Sequence, residues 1–281
     1  MIEIVKQNEE KDVMLSRVTQ ELNDLQKSVK SQNQKEIKKD KILTEEQYNS
    51  LLDKSNLTDK EIKLVVKYAN CSNLLELWLR NLRNITDKQI KEIIKYKWKL
   101  LNLSWINNLT DEQIKKLSKF KWWILCLDWL SNITPIQAKY LSNFKWTSLW
   151  LDWLERVTDQ EMEELTKFEW HELRLDWLKE ITDAQAVYLS ESCRRLYIGG
   201  LKTITDIQFT QLIRSKRYEH LELSWLENLT ESQFYLLTNF EWKRICLSES
   251  SLTEEQKIIL KEKLGDKLIL TWKHTNSHGT N

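Results

Sequence analysis

The chain has 281 residues, 41% of them hydrophobic, and 43 basic side chains against 42 acidic ones. A net charge of +1 argues against the basic footprint of nucleic-acid or anionic-membrane binders, and no apolar run reaches the ~18 residues a membrane-spanning helix needs. Four glycines and one proline are few for a doubly wound nucleotide-binding fold, while Cys71, Cys126, Cys193 and Cys246 lie far apart, as free thiols do in a reducing compartment.

From the start, residues 1–41 predict an N-terminal helix followed by a charged linker. Leu15, Val18, Leu22, Leu25 and Val29 alternate at spacings of three and four, the seam of a short coiled coil. Such a helix either oligomerises or docks on the first repeat, and the pattern leaves both open. Residues 42–72 predict a helical cap, with helix-start signals at Thr44/Gln47 and Thr58/Glu61. Solenoids need such a cap over the open end of their core.

Residues 73–272 are a repeat array. Aligned on Thr86, Thr110, Thr134, Thr158, Thr182, Thr205, Thr230 and Thr253, the copies recur about every 24 residues, a repeat-protein period. Each begins with apolar residues two apart, such as Leu101/Leu103 or Leu173/Leu175, which marks a short half-buried strand. A turn through one further apolar residue leads to Thr-x-x-Gln/Glu, the signature of a capping box. Pro135 suits the first helical position, which needs no N–H donor. Apolar residues four, seven and ten after each threonine then predict a helix of about ten residues. Trp98, Trp122, Trp146, Trp170 or Trp242 closes the phase, Leu268/Leu270/Trp272 supply a last strand, and 273–281 read as a disordered tail.

Such a unit cannot bury its own apolar face and must stack on its neighbours. Strands stack at ~4.8 Å and helices at about 10 Å, so the predicted fold is a curved α/β solenoid with a parallel sheet on the concave side and short helices on the convex side.

The pattern Trp98-x-x-Leu101-x-Leu103-x-x-Ile106-x-x-Leu109-Thr110-Asp111 resembles the leucine-rich-repeat family, and the resemblance covers residues 77–272. The I/L-T-D before each helix is most similar to the cysteine-containing subclass found in ubiquitin-ligase adaptors, with Trp in place of the first leucine and Leu or Ile in place of the Asn/Cys. The resemblance implies protein recognition on the concave sheet, usually without catalysis.

Residues between the strand leucines point away from the core. One column reads Trp78, Asn102, Cys126, Trp150, Arg174, Tyr197, Glu222; the next reads Arg80, Ser104, Asp128, Asp152, Asp176, Gly199, Ser224. Trp, Tyr and Arg are enriched at binding hot spots, so Trp78, Arg80, Asn102, Asp128, Trp150, Asp152, Arg174, Asp176, Tyr197 and Glu222 form the candidate partner surface. The Asp128/Asp152/Asp176 run either receives a Lys/Arg-rich peptide or a divalent cation, or bonds strand-end donors as a structural ladder. Trp105, Trp129, Trp153, Trp177 and Trp225 form an indole column whose simplest role is packing. That column breaks at Gly200, in a repeat without the Phe-x-Trp pair, which predicts a local hollow, a bend or a degenerate copy. On the convex side, nine lysines from Lys88 to Lys121 oppose Glu161, Glu163, Glu164, Glu169 and Glu172.

Catalysis is not expected. Walker, GxGxxG, GxSxG and HExxH motifs are missing, and Cys126 and His220 sit four rungs, about 20 Å, apart. The expected function is a cytoplasmic, non-catalytic module that binds a protein or peptide, with no cofactor, metal, nucleic acid or membrane. The alternative is an assembly protein that forms a homo-oligomer through residues 1–30 and the solenoid faces.

Overall fold

The computed structural model describes residues 43–97, 99–119, 123–143, 147–239 and 244–271. The expected coiled-coil segment, the charged linker, the C-terminal tail, and Trp98, Trp122, Trp146, Trp242 and Trp272 lie outside the described residues. The chain divides into two compact units, 1–49 and 50–281, and the division falls within helix α1 (Glu45–Leu52). In the first unit, Thr44 and Gln47 exchange backbone and side-chain hydrogen bonds of 3.1 and 3.3 Å at the start of α1.

The second unit continues with α2 (Asp59–Cys71) and then alternates strand and helix. The strands are β1 (Glu76–Trp78), β2 (Leu100–Asn102), β3 (Ile124–Cys126), β4 (Ser148–Trp150), β5 (Trp170–Arg174), β6 (Cys193–Tyr197), β7 (His220–Leu223), β8 (Ile245–Ser248) and β9 (Leu268–Thr271). Between them run α3 (Asp87–Ile93), α4 (Asp111–Leu117), α5 (Pro135–Ser142), α6 (Asp159–Thr166), α7 (Asp183–Ser190), α8 (Asp206–Arg214), α9 (Glu231–Thr238) and α10 (Glu254–Leu264). All nine described strands pair in parallel, in chain order, and the sheet does not close. A strand that returns parallel to its predecessor needs a crossover, and here each crossover is one short helix. The fold of this unit is therefore an α/β solenoid, curved because helices are wider than strands.

Register holds the core in columns. Leu77, Leu101, Leu125, Leu149, Leu173, Leu196, Leu221 and Ile245 pair in series and are at most 1% exposed. Helix residues such as Ile90/Ile93, Ile114/Leu117 and Met162/Leu165 cover them and are fully buried. Each such side chain contributes about 1.5–3 kcal/mol by leaving water.

Every threonine from Thr58 to Thr253 at the repeat phase caps its helix with a complete capping box. The helices α3 to α9 are shorter than the ten residues predicted, running for seven to nine. They stop before the apolar residue ten after the threonine because the chain must turn back to the start of the sheet. In α6 that turn is visible: Phe168 meets Trp170 edge-on at 4.6 Å. Trp170, 1% exposed, donates its indole N–H to the Leu165 carbonyl at 3.1 Å. It thereby satisfies one of the orphan carbonyls of the helix end.

The capping glutamines of α3, α4, α5, α7, α8 and α9 have a second role. While Oε1 of each accepts from its own threonine N–H, Nε2 reaches into the preceding repeat. Gln113 donates to Ile85 O at 3.0 Å, Gln137 to Leu109 O at 2.7 Å, Gln185 to Val157 O at 2.7 Å, Gln208 to Ile181 O at 2.8 Å and Gln233 to Ile204 O at 3.0 Å. Gln89 makes the same bond to Leu57 O. An amide side chain suits this site because it accepts and donates at once. Glu61 and Glu161 keep the cap, but a carboxylate has no proton for the cross-repeat bond.

Candidate functional site

Three columns of side chains line the concave face. The first runs Glu76, Leu100, Ile124, Ser148, Glu172, Arg195, His220 along the strand starts. The second is Trp78, Asn102, Cys126, Trp150, Arg174, Tyr197, Glu222, paired in register. The third, Ser104, Asp128, Asp152, Asp176 and Gly199, lies two residues past it at the strand exits.

Arg174 is the hub. Its guanidinium carbon sits 4.8 Å from the Trp150 ring centre and 5.2 Å from that of Tyr197, a cation between two aromatic faces. Nη2 donates to Asp176 Oδ2 at 2.8 Å and lies 3.2 Å from Asp152 Oδ2. Burial works against this charge, but Asp152 and Asp176 more than offset it and raise the guanidinium pKa. Trp150 donates its indole N–H to Glu172 at 2.8 Å. Tyr197 lies 5.0 Å from the His220 ring, and His220 is 3.3 Å from Glu222.

The carboxylates are unequally served. Asp176 Oδ1 accepts from the Gly199 N–H at 3.2 Å, and Asp128 Oδ2 accepts from Ser104 at 2.7 Å. The other oxygens, Asp128 Oδ1 and Asp152 Oδ1, are buried without a hydrogen-bond partner among the described residues. Burial raises the Asp128 pKa against the opposing Ser104 bond. For Asp152, burial and then the neighbouring Asp176 charge push the carboxyl up. Burial also disfavours ionised Glu222, but hydrogen bonds from His220, Ser224 and Cys246 outweigh it and hold its carboxyl low. Between β3 and β7 the face carries five carboxylates (Asp128, Asp152, Asp176, Glu172, Glu222) against the guanidiniums of Arg174 and Arg195. This centre is acidic in a chain that is +1 overall.

Trp150, Asp152, Arg174, Asp176, Tyr197, Asp128 and Glu222 thus come together. Trp78 and Arg80 form a separate pair, 4.9 Å apart, with the Trp78 indole N–H on Glu76 at 2.8 Å. They stand three rungs, about 14 Å, from Trp150. Asn102 does not offer a free face: it is 5% exposed, and its Oδ1 accepts from the Ser104 N–H at 3.0 Å. Glu172, counted with the convex charges in the sequence, lies on β5 facing the concave side. Strand alternation from Leu173 was the signal that could have placed it, as alternation from Leu196 could have placed Arg195.

The indole column is real, half-buried from Trp105 to Trp177 and exposed at Trp225. Trp105, Trp129, Trp153 and Trp177 stack at centroid distances of 4.3, 4.7 and 5.0 Å, close to the strand spacing. Trp225 follows at 6.1 Å and 55°, reaching past Gly200. A Cβ on Gly200 would lie 2.3 Å from the Asp176 carbonyl oxygen, so the missing indole reflects a close backbone approach.

The buried cysteines are poor nucleophiles. Burial, then Asp128, raises the Cys126 thiol pKa far above its usual range, and burial pushes Cys193 up to about 12. Burial and Glu222 likewise raise Cys246. Among the described residues, no group of His, Cys, Asp and Glu is arranged to hold a metal ion, and no helix is long and apolar enough to cross a membrane.

No family model matches the chain, and no curated protein matches it. Among solved structures it is similar to a chain in the crystal structure of the yeast Rad7 and Elc1 complex, at 16% sequence identity. That match covers 92% of this chain and 72% of the other, with a TM-score of 0.45.

Proposed function

We propose that the protein is a non-catalytic, leucine-rich-repeat-like interaction module whose concave face binds a protein or peptide through a basic side chain. The observation that carries this reading is the aromatic and acidic cage around Arg174. Trp150 and Tyr197 already sandwich one guanidinium, and Asp152 and Asp176 neutralise it. Beside it, Asp128 Oδ1 and Asp152 Oδ1 have no partner among the described residues, although a buried acceptor left unpaired costs about 1–3 kcal/mol. A partner Lys or Arg laid across rungs three and four meets this acidic surplus and supplies the missing positive charge.

The high thiol pKa values and the dispersal of the histidines support a binding role over catalysis. The test is selection from a displayed random-peptide library on immobilised full-length protein. Wild type is expected to enrich sequences with Arg or Lys, and Asp128→Asn/Asp152→Asn, with an unchanged thermal melt, is expected to lose them. Equal enrichment by both proteins, or enrichment without basic residues, overturns the proposal.

A further inference from the structure

A second hollow lies on the rim where β5, β6 and β7 begin. In this rank of the core Trp170 pairs with Cys193, and Tyr218 holds the corresponding place before β7. Trp170, Cys193 and Tyr218 are 1%, 2% and 4% exposed. A cysteine between two large aromatics leaves volume unfilled, and the repeat that supplies it lacks the Phe-x-Trp pair. Above it opens a cleft of about 650 Å³, within the size range of small-molecule sites. The cleft lies beside Cys193 at the strand start of this repeat, away from Gly200.

The walls of the cleft are rich in donors. Its two carboxylates are already engaged: Glu169 with Arg217 at 2.8 Å and Glu219 with Arg194 at 3.8 Å. Lys216 and the His171 ring line the same cleft and make no side-chain hydrogen bond or ion pair among the described residues. Ser192 and Thr147, two of the lining residues with hydroxyls, donate to the Leu189 and Trp123 carbonyls. Three cations therefore face two neutralised carboxylates, and the uncommitted groups are an ammonium and an imidazole. This polarity is the reverse of the concave centre.

We infer that this cleft is a binding site for a small organic oxyanion, a phosphate ester or a carboxylate, held by Lys216 and His171 with Arg194 and Arg217 at its edge. The site is independent of the concave face, because its residues lie at the strand starts and none belongs to the Arg174 cage.

Calorimetric titration of the full chain at low salt with phenyl phosphate, inorganic phosphate and benzoate tests it. The expected result is saturable binding of phenyl phosphate at one site per chain. Lys216→Glu is expected to weaken it roughly tenfold or more, the scale of one charge-assisted hydrogen bond. Thr147→Trp, placed at the exposed mouth, is expected to block the cleft to a similar degree, whereas Asp152→Asn leaves binding unchanged. Comparable affinity for benzoate assigns the site to carboxylates, and preference for both phosphates assigns it to phosphate. Absence of saturable binding by all three, or undiminished affinity in Lys216→Glu and Thr147→Trp proteins with wild-type melts, overturns the inference.

Discussion

The glutamine seam on the helix side and the aspartate ladder on the strand side are built on the same repeat, yet they resolve their polar groups in opposite ways. In the seam each buried amide has a donor and an acceptor, and each meets its complement: a threonine N–H in its own repeat and a carbonyl in the one before. In the ladder each residue brings only acceptors, so stacking copies multiplies like charges on adjacent strands. A self-complementary side chain repeated in phase becomes structure. A repeated side chain of one polarity leaves a surplus, and the surplus is where a partner can act.

The sharpest break of this contrast removes a seam residue. Gln185→Ala orphans the buried Val157 carbonyl and strips the part-buried Thr182 N–H of its cap, and is expected to cost about 2–4 kcal/mol, about 1–3 for the unmet carbonyl and about 1 for the cap. Urea unfolding measures it; a loss under about 0.5 kcal/mol, the level of a neutral surface change, would show the seam to be incidental. Gly200→Ala comes next, at about 1–3 kcal/mol from overpacking, since the Cβ meets the Asp176 and Trp177 backbone. A crystal structure of that variant should show Trp177 and Trp225 drawn apart, and an unshifted pair would refute the close-approach account.

The ladder behaves oppositely. Asp152→Asn is expected to be neutral or stabilising near neutral pH by up to about 1 kcal/mol, because it removes a buried charge that burial and the neighbouring Asp176 oppose, while Asp176 stays on Arg174. The sign follows from linkage: burial and Asp176 raise the native Asp152 pKa above its unfolded value, so the native state binds more protons. Its contribution is thus most favourable at low pH and is lost as pH rises from the ordinary carboxylate range through the native pKa. Wild-type stability should fall over that window relative to Asp152→Asn, and parallel curves would contradict the assignment. Trp105→Ala, at the end of the indole column, loses one stacked neighbour and about 0.5–1.5 kcal/mol of aromatic pairing; a Trp129→Ala loss no larger than this would show that its second stacked neighbour adds nothing.

The cap threonines, the leucine columns and the 24-residue phase were legible because each follows from local rules of spacing and helix capping. Less of the binding face was. The second column, read from alternation, contains both the real cage and Asn102, whose amide is spent within the sheet on Ser104. Glu172 was misread because it follows a run of helix glutamates, and only the strand register turns it toward Trp150. The close approach at Gly200 and the void at Cys193 needed the neighbouring rungs.

The sequence by itself determined the unit and its phase: strand, turn, capped helix, and the obligation to stack, since the code for each is carried within about twenty-four residues. Tertiary structure alone decided which polar groups meet across rungs. The reason is physical: a hydrogen bond between residues 28 apart, a guanidinium between two rings, or an unfilled volume beside a cysteine depends on distances that exist only after the repeats have stacked. The acidic cage at Arg174 and the basic cleft at Lys216 are both products of that stacking.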